Sequence, residues 1–162
     1  MNGYRVIALE ERIAREVRHT GEAPGWGHPA FTDVATGYGP CRLCLRTFET
    51  GADRRILFTY DPFEQLEPFP LPSPIYVHQH SCSRHPEDQP IPDELEGLPL
   101  TFNGYGRGRM LHWQERTTDP REVEATIQRM LGRPDVDYVH VRNTEAGCYI
   151  LRIEREENRT IS

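Results

Sequence analysis

Two segments far apart in the chain constrain its folding more than any other feature: "PCRLCLR" at 40–46 and "PIYVHQHSC" at 74–82. The first holds Cys41 and Cys44 in a C-x2-C spacing, which lets two thiolates share one ion if the backbone between them turns. The second brings His78, His80 and Cys82, beginning 34 positions after Cys44, and His85 follows. A site built from both segments requires the loop at 41–44 to lie against the end of the strand-like "PIYVH". Few topologies satisfy that demand.

The residue types leave the fourth ligand open. His78 and Cys82 form an H-x3-C pair, Cys82 and His85 a C-x2-H pair, and either completes a Cys3His tetrahedron around Zn2+. If the strand continues past Val77, His78, His80 and Cys82 share a face; if the chain turns there, His85 can replace His78. The competing reading makes Cys41 and Cys44 small buried residues and leaves the histidines in solvent. Thiol redox chemistry fits less well, because C-R-L-C sits in a Gly/Pro-rich stretch without the strand-then-helix setting that activates a leading cysteine. The order of His and Cys also departs from the Rieske pattern.

Composition narrows the function classes. A net charge of −6 with no charged tail argues against nucleic-acid binding. All 19 basic residues are Arg, so Schiff-base and lysine general-base chemistry are excluded. No stretch approaches a membrane span and the first residues lack an apolar signal core, so a cytoplasmic location is expected. Four cysteines in that compartment are then poor disulfide candidates.

One α+β domain accommodates the pattern, a mostly antiparallel sheet with two helices and long Pro/Gly-rich loops. "YRVIAL", "RRILFTY", "PIYVH" and "GRMLHWQER" read as strands. "EERIAREVRH" reads as a short amphipathic helix, and "PDELEGL" as one helical turn. The clearest helix starts at Asp119 as N-cap with Pro120 in its first turn. Val123, Ile127, Met130 and Leu131 share one face, and Gly132 and Pro134 end it. Residues 20–40, with five Gly and three Pro, read as a loop pinned by Trp26, Phe31 and Tyr38. Trp113, like Trp26, is expected as a core or loop anchor.

The last two strands, "DYVHVRN" and "CYILRIER", form a hairpin around "NTEAG". Alternation places Tyr138, His140 and Arg142 on one face, and Val139 and Val141 on the helix side. A phenol, an imidazole and a guanidinium in a row suit a small anion, gripped by Arg142 with His140 exchanging a proton. Arg42 and Asn143 are expected to join that cleft, and Arg107 and Arg109 to add positive charge. If Asn143 pairs with Cys148, His140 faces Leu151, and Cys148 falls on the Val side as a core residue.

"PCRLCLR", "YDPF", "PIYVH" with Cys82, "DYVHVRN" and "GCYILRIER", in this order, resemble DUF1203, a small bacterial family of unknown function. The resemblance runs from about residue 4 to 155. It points to Pro40, Cys41, Arg42, Cys44, Tyr60, Pro62, Phe63, His78, Cys82, His140, Arg142, Asn143, Gly147 and Cys148, and implies no activity. It favours His78 over His80 and His85 as the partner of Cys82, which makes the expected metal ligands Cys41, Cys44, His78 and Cys82.

Three function classes follow. The first is a small zinc-binding protein with an Arg/His cleft for a small anion. The second is an enzyme of small-molecule or natural-product metabolism using His140 as acid/base and Arg142 as anion clamp. The third is a protein-interaction module, which predicts an exposed apolar patch near residues 20–40.

Overall fold

The computed structural model describes residues 3–156. Its α+β domain contains eight strands in two antiparallel sheets. In the smaller sheet, β2 (Phe31–Val34), β3 (Arg54–Tyr60) and β4 (Ser73–His78) are neighbours in that order. Register places Ile56 opposite Val77 and Phe58 opposite Ile75. That buried face packs with Ile13, Ala14 and Val17 of α1 (Glu11–Thr20), and Cys41, Leu43 and Phe48 fill the same core.

The larger sheet has the order β1-β8-β7-β5-β6, built from β1 (Tyr4–Ile7), β5 (Leu100–Gly106), β6 (Met110–Thr117), β7 (Tyr138–Asn143) and β8 (Tyr149–Arg155). Val139 and Val141 of β7 face Val123, Ile127 and Met130 of α3 (Pro120–Leu131), as alternation and helical periodicity predict. Asp119 caps α3, its Oδ1 accepting from the Arg121 amide at 2.9 Å. The expected helical turn is present as α2 (Asp93–Glu96). No helix among the described residues is long and apolar enough to cross a membrane.

Three local expectations are corrected. Residues 20–40 are not wholly loop: β2 forms there, because β3 supplies the hydrogen bonds that its own sequence does not announce. Trp26 and Phe31 are exposed rather than pinned, and Trp113 lies on the solvent side of edge strand β6 under the Arg133 guanidinium. Tyr38 is the real pin, its hydroxyl accepting from Asn143 Nδ2 at 2.7 Å. In the last hairpin Asn143 does pair with Cys148, but a β-bulge follows: Arg142 faces Tyr149, Val141 faces Leu151, and His140 faces Arg152 rather than Leu151. The extra residue is Ile150, and the bulge lets Ile150 and Leu151 both enter the core.

Candidate metal centre and neighbouring cavity

The loop after Pro40 closes on itself. Cys41 N donates to Arg46 O and Leu45 N to Cys41 O, each at 2.9 Å, and Leu45 is held in left-handed backbone at φ 59. Both thiols of the C-x2-C pair therefore point the same way. A third hydrogen bond, Arg42 N to Tyr76 O at 2.9 Å, lays the loop along β4, whose last residue is His78. Gly39 makes the approach possible. At φ 89 it tolerates the turn, and a Cβ there would meet the Phe48 ring at 2.5 Å, the ring that packs edge-on against His78.

One donor atom from each of Cys41, Cys44, His78 and Cys82 lies within 4.8 Å of the others. Cys41 Sγ is 3.9 Å from Cys82 Sγ, and Cys44 Sγ is 3.5 Å from His78 Nδ1. A tetrahedral ion with sulfur at about 2.3 Å and nitrogen at about 2.05 Å requires separations of about 3.8 Å between sulfurs and about 3.6 Å from sulfur to nitrogen. These two separations match that geometry, and the four side chains could hold a metal ion. His80 is exposed and stacks on His78, and His85 has its Nε2 on Gln89 O at 3.3 Å; neither belongs to the four-donor group.

The surroundings favour negative charge on Cys82 and oppose it on Cys44. Cys82 is held far below the ordinary thiol range by hydrogen bonds from Cys41 and Cys44, with His78 and Arg18 adding to them. Cys44 is pushed up by its contact with Cys41 and then with Cys82. His78 rises to about 10, chiefly through its contacts with Cys41 and Cys82. Arg18 Nη2 reaches Cys82 Sγ at 3.3 Å, its Nε binds His78 O at 3.0 Å, and the His78 amide donates to Cys41 Sγ at 3.3 Å. On the far side of the imidazole, Nε2 lies 3.6 Å from Asp53 Oδ2. At 3.6 Å this is a charge contact rather than a hydrogen bond, on the side of the ring where carboxylates orient metal-binding imidazoles. Sequence reasoning missed Arg18 and Asp53. Only the pairing of α1 and β3 with this corner reveals them.

The other expected residues do not share one cleft. Arg42 is buried, with Nε on Tyr149 O at 2.7 Å and Nη1 on Pro40 O, and burial pulls its pKa down to about 10. It ties the cysteine loop to β8 and leaves the anion cleft without the contribution expected of it. Asn143 closes the hairpin turn, its Oδ1 accepting from the amides of Glu145 and Ala146. Arg107 is exposed on the single helical turn at 107–109, and Arg109 lies over the Phe63 ring at 5.2 Å.

His140 and Arg142 do meet, in a cavity of about 290 Å3. Phe63 from the Pro-rich 61–72 segment, Tyr105 of β5 and Tyr149 of β8 wall it, with Pro62, Leu71, Pro72 and Pro74. The imidazole is 2% exposed and surrounded by the rings of Phe63, Tyr105, Tyr138 and Tyr149 at centroid distances of 4.7–5.3 Å. Burial, then Arg152 across the bulge, then Arg142 lower its pKa to about 3. The expected proton exchange near neutral pH is thus replaced by a neutral imidazole, and the expected polar cleft by an aromatic one. Cys148 sits half-buried at the cavity edge rather than in the core, its Sγ turned to Ala146 O at 3.8 Å.

No curated protein and no solved structure matches the chain. A family model does, over residues 38–155, a span that leaves out β1, α1 and β2 but holds the four donors, His140 and Arg142. The chain belongs to the DUF1203 family, a family of unknown function.

Proposed function

We propose that the protein is a zinc-binding domain in which Cys41, Cys44, His78 and Cys82 are the ligands. The observation that carries this reading is the donor spacing, 3.9 Å between two sulfurs and 3.5 Å from sulfur to imidazole nitrogen. Soft thiolates with one imidazole favour zinc among the common divalent ions. Charge supports it as well. Three thiolates and Zn2+ leave one negative charge, and Arg18 sits 3.3 Å from Cys82 Sγ to offset it. Four protein ligands form a closed site, and a closed site staples the cysteine loop to the end of β4.

Protein purified without added metal should carry close to one zinc per chain by elemental analysis. Cys41→Ser should lose the metal and lower Tm by several degrees, because structural zinc contributes directly to folding. A fully folded, metal-free protein straight from cells would sink the proposal.

A second reading, that the cavity beside His140 accepts a small anion, is favoured by a specific observation. Arg142 is the charged side chain among the described residues lining it, and no carboxylate lines it. Arg142 Nε is committed to Gly147 O at 2.9 Å, which leaves the terminal nitrogens for a ligand.

A further inference from the structure

His140, one of the residues that line the cavity, carries a buried polar atom without a partner. His140 Nε2 makes no hydrogen bond, although the imidazole is 2% exposed and lines the cavity. Leaving such a group unpaired costs about 1–3 kcal/mol, so a ligand group that reaches it recovers the loss on binding. The neutral ring presents either N–H or a lone pair at Nε2, according to tautomer, and a hydroxyl answers both because it donates and accepts.

Three further properties narrow the ligand. The rings of Phe63, Tyr105 and Tyr149 with the prolines around them accept a planar ring more readily than a branched chain. The volume of about 290 Å3 lies at the lower limit of small-molecule sites. Arg142 is a single fork matched to one carboxylate, whereas a polyphosphate would need several cations. His140 and Arg142 are two apart on one face of β7, so their side chains leave the strand about 7 Å apart. That separation suits two polar groups at opposite ends of one aromatic ring.

We propose that the cavity binds a small hydroxyaryl carboxylate, its ring between Phe63 and Tyr149, its carboxylate on Arg142 and its hydroxyl on His140 Nε2. The proposal rests on the anion reading above and shares no residue with the metal centre.

The test is calorimetric titration of the protein as purified with 4-hydroxybenzoate, benzoate, 4-hydroxybenzyl alcohol and acetate. 4-Hydroxybenzoate should saturate one site per chain, with benzoate and the alcohol each about tenfold weaker or more. Arg142→Gln should erase the preference over the alcohol, and His140→Phe the preference over benzoate. The ligand series on the unaltered protein decides the matter even if a variant fails to fold. If acetate binds as tightly as 4-hydroxybenzoate, the anion reading stands and the hydroxyaryl assignment falls. Equal binding of benzoate, or of the alcohol, also overturns it. If no anion saturates, both fall, and the zinc reading is untouched.

Discussion

His140 shows how surroundings decide the chemistry of a side chain. On a solvated sheet face an imidazole titrates near pH 6.5 and can shuttle protons. Ringed by four aromatic side chains and facing Arg152 and Arg142, it is held neutral, with a value of about 3. The consequence for stability has a definite sign. Above pH 6.5 neither folded nor unfolded chain protonates this residue, so the contribution vanishes. Between 6.5 and about 3 the unfolded chain binds a proton that the fold excludes, and stability falls as pH falls. Over the interval from pH 7 to pH 4 the loss is on the order of 3 kcal/mol. Urea denaturation at both pH values should therefore show a steeper loss for the wild type than for His140→Phe. Equal losses would mean that the imidazole is solvated after all.

At the scale of elements, legibility followed how local the signals were. In α3 the cap, the proline in the first turn and the apolar stripe all lie within thirteen consecutive residues, Asp119 to Leu131, and the helix forms where they place it. Replacing Asp119 by Ala should cost about 1 kcal/mol through the lost cap, measured by chemical denaturation without change in fold; no measurable loss would show that the cap is dispensable. Strand β2 is the opposite case. Three of its four residues are exposed, and what makes it a strand is the neighbouring edge of β3. The hairpin of β7 and β8 lies between these. Its turn and alternation are readable, but the bulge at Ile150 is set by how both Ile150 and Leu151 can enter one core. That single extra residue brings Arg152 opposite His140.

For the whole molecule, Arg42 links the two sites. It was expected to join the anion cleft with Arg142, yet its guanidinium spans from the cysteine loop to the carbonyl of Tyr149, whose ring walls the His140 cavity. It acts as a strut between the smaller sheet's loop and the larger sheet. Arg42→Ala should lose about 2–3 kcal/mol of stability, because two buried carbonyls lose their donor and a long side chain leaves a void. Molecules that remain folded should bind 4-hydroxybenzoate much as before. A collapse of affinity with stability intact would return Arg42 to the ligand site.

By itself the sequence determined the α+β class, the position of α3, the closing hairpin and the three candidate cysteine donors, with the histidine left open among His78, His80 and His85. Each rests on spacing within a short segment, or on residue types whose chemistry has few other uses. The tertiary structure alone decided that His78 rather than His85 faces Cys44, that Asp53 and Arg18 support the cluster, and that Arg42 is a strut. It also decided that the His140 face is an aromatic box, because Phe63 arrives from a segment more than seventy residues earlier. Burial and long-range register are properties of which surfaces meet, and no local pattern in a chain records them.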